Sequence, residues 1–318
     1  MFLLDSHCDT PGEILRGRDL LLDNTDSHVD FPKLRRGGVD AAFFALYVPA
    51  SLDTEQAYEH AMKLYKGIQT TVEAYPDKAA FALTRSQAHS NKSEGLFSIF
   101  LGLENGSPIG EDLERLHEFY DLGVRYITLC HSADNQICDS CASKDKRWHG
   151  LSPFGREVVK EMNRLGMLID VSHISDESFY DVLETSSRPV VATHSCCRAL
   201  ADHPRNMTDD MIRALSDAGG VIQINFYPVF LDSSFSESEM FTAPRPSYKR
   251  IADHIDHVVD LVGIDHVGIG SDFDGIEVTP EGMEDISMMP KLFEELSGRG
   301  YSQSDLEKIA SENFFNVF

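Results

Sequence analysis

Short apolar or β-branched runs recur along the chain at 2–7 (FLLDSH), 39–48 (VDAAFFALYV), 97–103 (FSIFLGL), 124–130 (VRYITLC), 166–171 (GMLIDV), 189–193 (PVVAT), 220–225 (GVIQIN) and 266–271 (HVGIGS). Between them, apolar positions repeat at helical spacing over 55–75, 110–121, 154–165, 175–186, 208–218 and 248–262, with Gly or Asn near several ends. Eight strands alternating with helices predict a parallel sheet with crossover helices. A last helix over 302–318 is expected to close the side of that sheet. Periodicity alone leaves an open doubly wound sheet standing beside a closed (β/α)8 barrel.

The polar residues separate the two. In a (β/α)8 barrel the functional side chains gather at the carboxyl ends of several different strands, where all the loops converge. Here the first run ends in His7 and Asp9, the third in Glu104, the fourth in His131, the fifth in His173, the sixth in His194 and the eighth in Asp272 and Asp274. We therefore expect one TIM-barrel domain over residues 1–318. Neither an internal repeat nor a low-complexity segment interrupts it, and the Pro-rich stretch at 242–249 is too short for a linker. The connections at 130–153 and 226–247 exceed the usual length and are expected to wall or cover the barrel mouth.

Buried together without compensation, these carboxylates and imidazoles would cost several kcal/mol per charge. Divalent cations remove that cost. Imidazole nitrogens with carboxylate oxygens suit zinc best, although manganese, cobalt or iron take the same donors. The donors exceed the needs of one four-coordinate ion, which predicts two ions about 3.5 to 4 Å apart that share a bridging carboxylate. In this reading His7 and Asp9, two apart on a strand, grip one ion, Glu104 bridges, and His173 and His194 hold the other. Asp272 is then free to carry a proton to a leaving amine. Gly268 and Gly270 are expected to leave space beneath it. By alternation, Asp170 should face the helices. Asp5 reads either as a hydrogen-bond partner behind the ligands or as a buried structural acid.

Composition narrows the partners. With 28 basic against 52 acidic side chains the formal charge is −24, which disfavours nucleic acid and anionic membrane surfaces. No apolar run of about 18 residues exists, and a strand directly after Met1 leaves no room for a secretion signal, so a cytoplasmic protein is expected. In that setting the six cysteines read as free thiols; the single CxxC, Cys138 and Cys141, lacks the second ligand pair of a structural zinc and the βαβ context of a redox motif.

The motifs resemble the membrane (renal) dipeptidase family and its bacterial zinc-dipeptidase relatives of the amidohydrolase-like barrel class. The likeness runs almost the whole chain: DSHCDTP at 5–11, GLENG at 102–106, TLCHSADN at 128–135, DVSH at 170–173, THS at 193–195, HPRNMTDD at 203–210, INFYP at 224–228 and GSDFDG at 270–275. It implies a dizinc site of His7, Asp9 and bridging Glu104 on one ion, with Glu104, His173 and His194 on the other, hydrolysing dipeptides with tolerance for a D-residue at the C-terminal position. It also implies roles that spacing does not: His131 against the scissile carbonyl, Arg205 on the substrate's terminal carboxylate, Tyr227 in the same pocket and Asp272 as the catalytic acid. Taken alone, Arg205 reads as a surface residue in a polar turn, His131 as a strand-end cap and Tyr227 as a buried aromatic. A homodimer follows by family analogy only. Membrane anchoring and disulfides of the vertebrate members are not carried over, because signal and anchor tail are lacking. Two other readings stand beside this one: a dizinc hydrolase of another acyl bond (an N-acyl amino acid, cyclic amide or lactone), and a non-catalytic metal-binding barrel.

Overall fold

The computed structural model describes residues 1–318, apart from the side chain of Glu239. Its described residues form nine strands: β1 (Leu4–Cys8), β2 (Ala41–Tyr47), β3 (Ala79–Phe81), β4 (Phe97–Glu104), β5 (Val124–Thr128), β6 (Leu168–Asp170), β7 (Val191–Ser195), β8 (Val221–Ile224) and β9 (Val267–Ile269). All pair in parallel in the order β1-β2-β4-β5-β6-β7-β8-β9. The seam between β9 and β1 is closed past the ends of the ladder. Asp272 N donates to His7 O (3.0 Å), Asp9 N to Phe273 O (2.8 Å), and the Asp5 carboxylate takes Ser271 N and Oγ. The result is the (β/α)8 barrel, and the open-sheet alternative is set aside.

The eight expected strands are all present. The additional one, β3, pairs with Phe97–Ile99 of β4, a stretch of edge left free because β5 joins β4 only from Leu101 onward. The expected helices appear as Thr54–Ala74, Leu113–Asp121, Pro153–Leu165, Asp176–Thr185, Asp209–Asp217 and Lys249–Val262. Most begin on a side-chain cap, such as Ser152 accepting from Gly155 N and Thr208 accepting from Met211 N. No helix among the described residues is long and apolar enough to cross a membrane.

The carboxyl-terminal helix does not lie on the barrel's side. Phe43 and Phe100 project into the barrel from the early parts of β2 and β4, and Phe314 and Phe318 pack against them tilted or edge-on, with centroids 5.2 to 5.7 Å apart. Ser311 Oγ bonds Phe2 O, and Asn313 Nδ2 bonds Val267 O. The segment therefore plugs the amino-terminal end of the barrel, because several large aromatic rings are buried there against one another. That leaves the carboxyl-terminal end as the open mouth.

Candidate active site and metal centre

Glu104 reaches the mouth by regular alternation, continuing the inward row of Phe100 and Gly102 on β4. The other candidate ligands arrive by irregular backbone. Leu4 faces the interior, so an ideal β1 would turn His7 outward; a register shift between Asp5 and Cys8 brings it in. A second shift between Ala192 and Ser195 does the same for His194 on β7. His173 and Asp272 leave their strands with φ of +70° and +63°, left-handed conformations that re-aim the side chains. Asp9 follows β1 as the residue ahead of the helix Thr10–Leu15.

Seven expected residues converge. Glu104 Oε2 lies 3.4 Å from His7 Nε2, which is 3.5 Å from Asp9 Oδ2. Glu104 Oε1 lies 3.1 Å from His173 Nε2 and 3.4 Å from His194 Nε2. Asp272 Oδ1 stands 3.9 Å from His7 Nε2, and His131 Nε2 is 3.8 Å from Glu104 Oε1. One carboxylate thus presents each of its oxygens to a different pair of donors. His7 Nε2 and Asp9 Oδ1 are buried without a hydrogen-bond partner. Two buried polar atoms left bare beside three imidazoles fit metal ligation and little else.

The electrostatics agree. Burial opposes a charge on His7, yet the Glu104 and Asp9 carboxylates hold its pKa well above the usual range. Burial likewise opposes ionised Glu104, but His7, His173 and His194 bring it well below the ordinary value, while burial and the Glu104 charge push Asp9 well up. Protons retained on His7 and Asp9 offset the buried charge of this cluster, a task that a divalent cation performs far better. Burial, aided by Arg205, lowers His173 and His131; burial and His7 lower His194 to about 4. Neutral imidazoles are the form that ligates.

Around the cluster, the predicted substrate residues are in reach and better packed than their sequence context suggests. Arg205 is 6% exposed, not a surface residue: Nη1 bonds Ser195 Oγ (2.9 Å), Nη2 bonds His194 O (2.7 Å), and Nε is buried without a partner. Its guanidinium lies over the Phe230 ring, which Tyr227 meets edge-on at 4.9 Å. Burial, with the Glu277 carboxylate nearby, raises the pKa of the Tyr227 hydroxyl. Asp272 Oδ2 accepts from Asn225 Nδ2 (2.8 Å). The 130–153 segment braces the mouth, with Ser140 Oγ bonded to His131 O and Cys141 N donating to His173 O (2.8 Å). A cleft of about 410 Å³ opens beside Asp9, Glu104, His131 and Asp272, its far wall being Leu15, Tyr47, Pro49 and Leu64.

Several expectations need correction. Gly268 does not open space under Asp272; a Cβ there would meet Gln223 Oε1 at 2.2 Å, and one on Gly270 would meet Thr193 O at 1.8 Å, so Gly268 admits the Gln223 side chain and Gly270 the backbone of β7. The glycine that makes room for the acids is Gly275, where a Cβ would fall 2.1 Å from Asp9 Oδ2 and 2.7 Å from Asp272 Oδ1. Asp170 faces the barrel interior, bonded to Thr128 and Thr193. Asp5 ties β1 to Ser271 and makes no bond to a ligand side chain; burial raises its pKa to about 6. All six cysteines are free, Cys138 buried and Cys141 half-buried. Sequence reasoning passed over Tyr126, whose hydroxyl sits 2.7 Å from His7 Nδ1 and leaves Nε2 to face the carboxylates. Gly102, at the same parity as Glu104, was the available signal, since a Cβ there would fall 2.2 Å from Tyr126 Cζ.

Comparison with known proteins joins this geometry to a family. Residues 1–318 match the sequence profile of the membrane dipeptidase family, peptidase family M19. The dipeptidase verJ of Clonostachys rogersoniana is 35% identical over 331 residues, covering 99% of this chain and 83% of its own length. Among solved structures, the dipeptidase AC, a metallopeptidase, superposes with a TM-score of 0.92 at 29% identity, over 100% of this chain and 97% of its own. A metallopeptidase of Rhodobacter sphaeroides, bound to a phosphinate mimic of the dipeptide L-Ala-D-Ala, superposes with a TM-score of 0.91 at 28% identity, over 100% and 98%. The chain belongs to the membrane dipeptidase family, and is a metal-dependent hydrolase of peptide bonds in small peptides.

Proposed function

We propose that residues 1–318 act as one catalytic unit that holds two zinc ions and cleaves free dipeptides. His7 and Asp9 with Glu104 would hold one ion, and Glu104 with His173 and His194 the other. The observation that carries this reading is the bridging posture of Glu104, one oxygen towards each pair of donors. When bound, such a pair of ions polarises a carbonyl and lowers the pKa of water towards neutrality.

The chain's own residues supply the rest. Arg205 has spent two of its N–H groups on Ser195 and His194, and its bare Nε edge offers a fork to the substrate's terminal carboxylate. His131, neutral and packed 4.2 Å from the His173 ring, donates to the carbonyl oxygen as it gains charge. Asp272, positioned by Asn225, takes a proton and hands it to the leaving amine. Tyr227 walls the pocket beside Arg205's stacking partner. In the strand order β7 stands opposite β2, so a dipeptide held at Arg205 directs its amino-terminal residue towards Tyr47, Pro49 and Leu15.

A D-residue at the carboxyl-terminal position, as in the mimic bound to the Rhodobacter sphaeroides relative, is part of this proposal. So are a homodimer and a cytoplasmic setting, the latter supported by six free thiols. The test is metal content with turnover on one sample, using L,L and L,D dipeptides beside N-acyl amino acids and lactones. About two zinc ions per chain with chelator-sensitive dipeptide cleavage is expected. Two ions with turnover of another acyl substrate and no dipeptide cleavage would discard the dipeptide assignment.

A further inference from the structure

Asp170 lies beneath the ligand cluster, fully buried, and takes no part in the reaction as described. Its surroundings are all donors. Oδ1 accepts from Ser172 N (3.0 Å) and Thr193 N (2.9 Å); Oδ2 accepts from Thr128 Oγ1 (2.5 Å) and Thr193 Oγ1 (2.6 Å). Thr193 Oγ1 in turn lies 2.8 Å from His194 Nδ1. A hydroxyl has one proton and two lone pairs. With that proton committed to Asp170, Thr193 offers His194 only a lone pair, so Nδ1 must carry the ring's proton. Nε2, 3.4 Å from Glu104 Oε1, is then bare.

We infer that Asp170 is a positioning residue, which sets the tautomer of His194 through Thr193 and so presents Nε2 as a metal ligand. The same carboxylate fixes the backbone of Ser172 and Thr193. It therefore grips β6 and β7 where His173 and His194 depart, next to the pair's only ladder contact, Asp170↔Val191. Asp170 points inward by regular alternation with Leu168, and it is His173 that leaves the alternation, on left-handed backbone. The inference rests on His194 being a ligand, as proposed above.

Asp170→Asn is the direct test, because an amide oxygen can keep the two backbone bonds while its NH2 donates to Thr193 Oγ1. The hydroxyl proton then turns towards His194 Nδ1, and the ring proton moves to Nε2. Thr193→Val breaks the chain at its middle link while leaving Asp170 in place with its other three donors, and Thr193→Ser restores it. Two readouts apply: zinc affinity by chelator competition, and 15N imidazole shifts of the metal-free protein, with His194 assigned by its absence in a His194→Asn sample. Expected are an Nδ1–H tautomer for His194 in the wild type and in Thr193→Ser, its loss in Asp170→Asn and Thr193→Val, and zinc affinity lower by roughly 10- to 100-fold in those two. If Asp170→Asn does not fold, the Val and Ser pair decides. Wild-type zinc affinity and an unchanged tautomer in Thr193→Val would overturn the inference. Zinc binding absent from the wild type itself would instead overturn the metal-site reading on which it stands.

Discussion

Arg205 separates a dipeptidase from a general acyl hydrolase most sharply. If its free edge binds the substrate's terminal carboxylate in a largely desolvated pocket, that contact is worth about 2–4 kcal/mol, or roughly 30- to 700-fold in kcat/KM. Arg205→Met removes this contact but also the bonds to Ser195 Oγ and His194 O, which loosens the end of β7 for any substrate. The two effects separate in a cycle: a dipeptide and its carboxyl-terminal amide, each assayed with wild type and variant. The wild type should prefer the free acid by the full factor, and the variant by less than about threefold, once the charge partner is gone. If the wild type cleaves the amide as well as the acid, or if Arg205→Met loses equal activity on both, Arg205 is only a structural brace and the anchoring role is wrong.

Three further outcomes follow from the geometry. Asp272→Asn should lower kcat by roughly 10²- to 10⁴-fold with the metal content per chain unchanged; metal lost in step with activity would make Asp272 a ligand and not a proton carrier. Gly102→Ala places a Cβ 2.2 Å from Tyr126 Cζ in the barrel core, which should cost about 1–3 kcal/mol in denaturant unfolding and shift Tyr126 off His7, so an unchanged midpoint would refute the packing described. His254, buried with Nδ1 accepting from Cys197 N and Nε2 bonded to Leu231 O, has its pKa lowered by burial to about 4. A depressed histidine contributes stability that is present above its unfolded value near 6.5 and lost as the pH falls through 4, about 3 kcal/mol here. Unfolding free energies from pH 7 to pH 4 should fall by that much more for the wild type than for His254→Gln, and parallel curves would show that another group governs acid loss.

That these His, Asp and Glu side chains gather at one end of the barrel was legible in the chain because each follows an apolar run, and covalent adjacency to a strand end places a residue at the barrel mouth whatever the remaining details. The eight barrel strands and six of the helices were legible for the same local reason, since a period of two or 3.6 is a property of neighbouring residues, whereas β3 and the helices Phe31–Gly37, Arg85–Ser93 and Met289–Gly298 were passed over. Which face a side chain takes was not. Alternation assumes an unbroken register, and β1 and β7 each slip where they deliver His7 and His194, while His173 and Asp272 turn on left-handed backbone. Those departures depend on pairing between strands far apart in sequence; Asp170 itself alternates regularly with Leu168, and counting back from His173 mistakes its face because His173 lies past the break. Burial of Arg205 and the aromatic plug of Phe314 and Phe318 are likewise products of distant packing. The sequence by itself determined which groups meet and near which end of the barrel. Only the tertiary structure decided how each is aimed, because aim is set by register and packing, which no local pattern encodes.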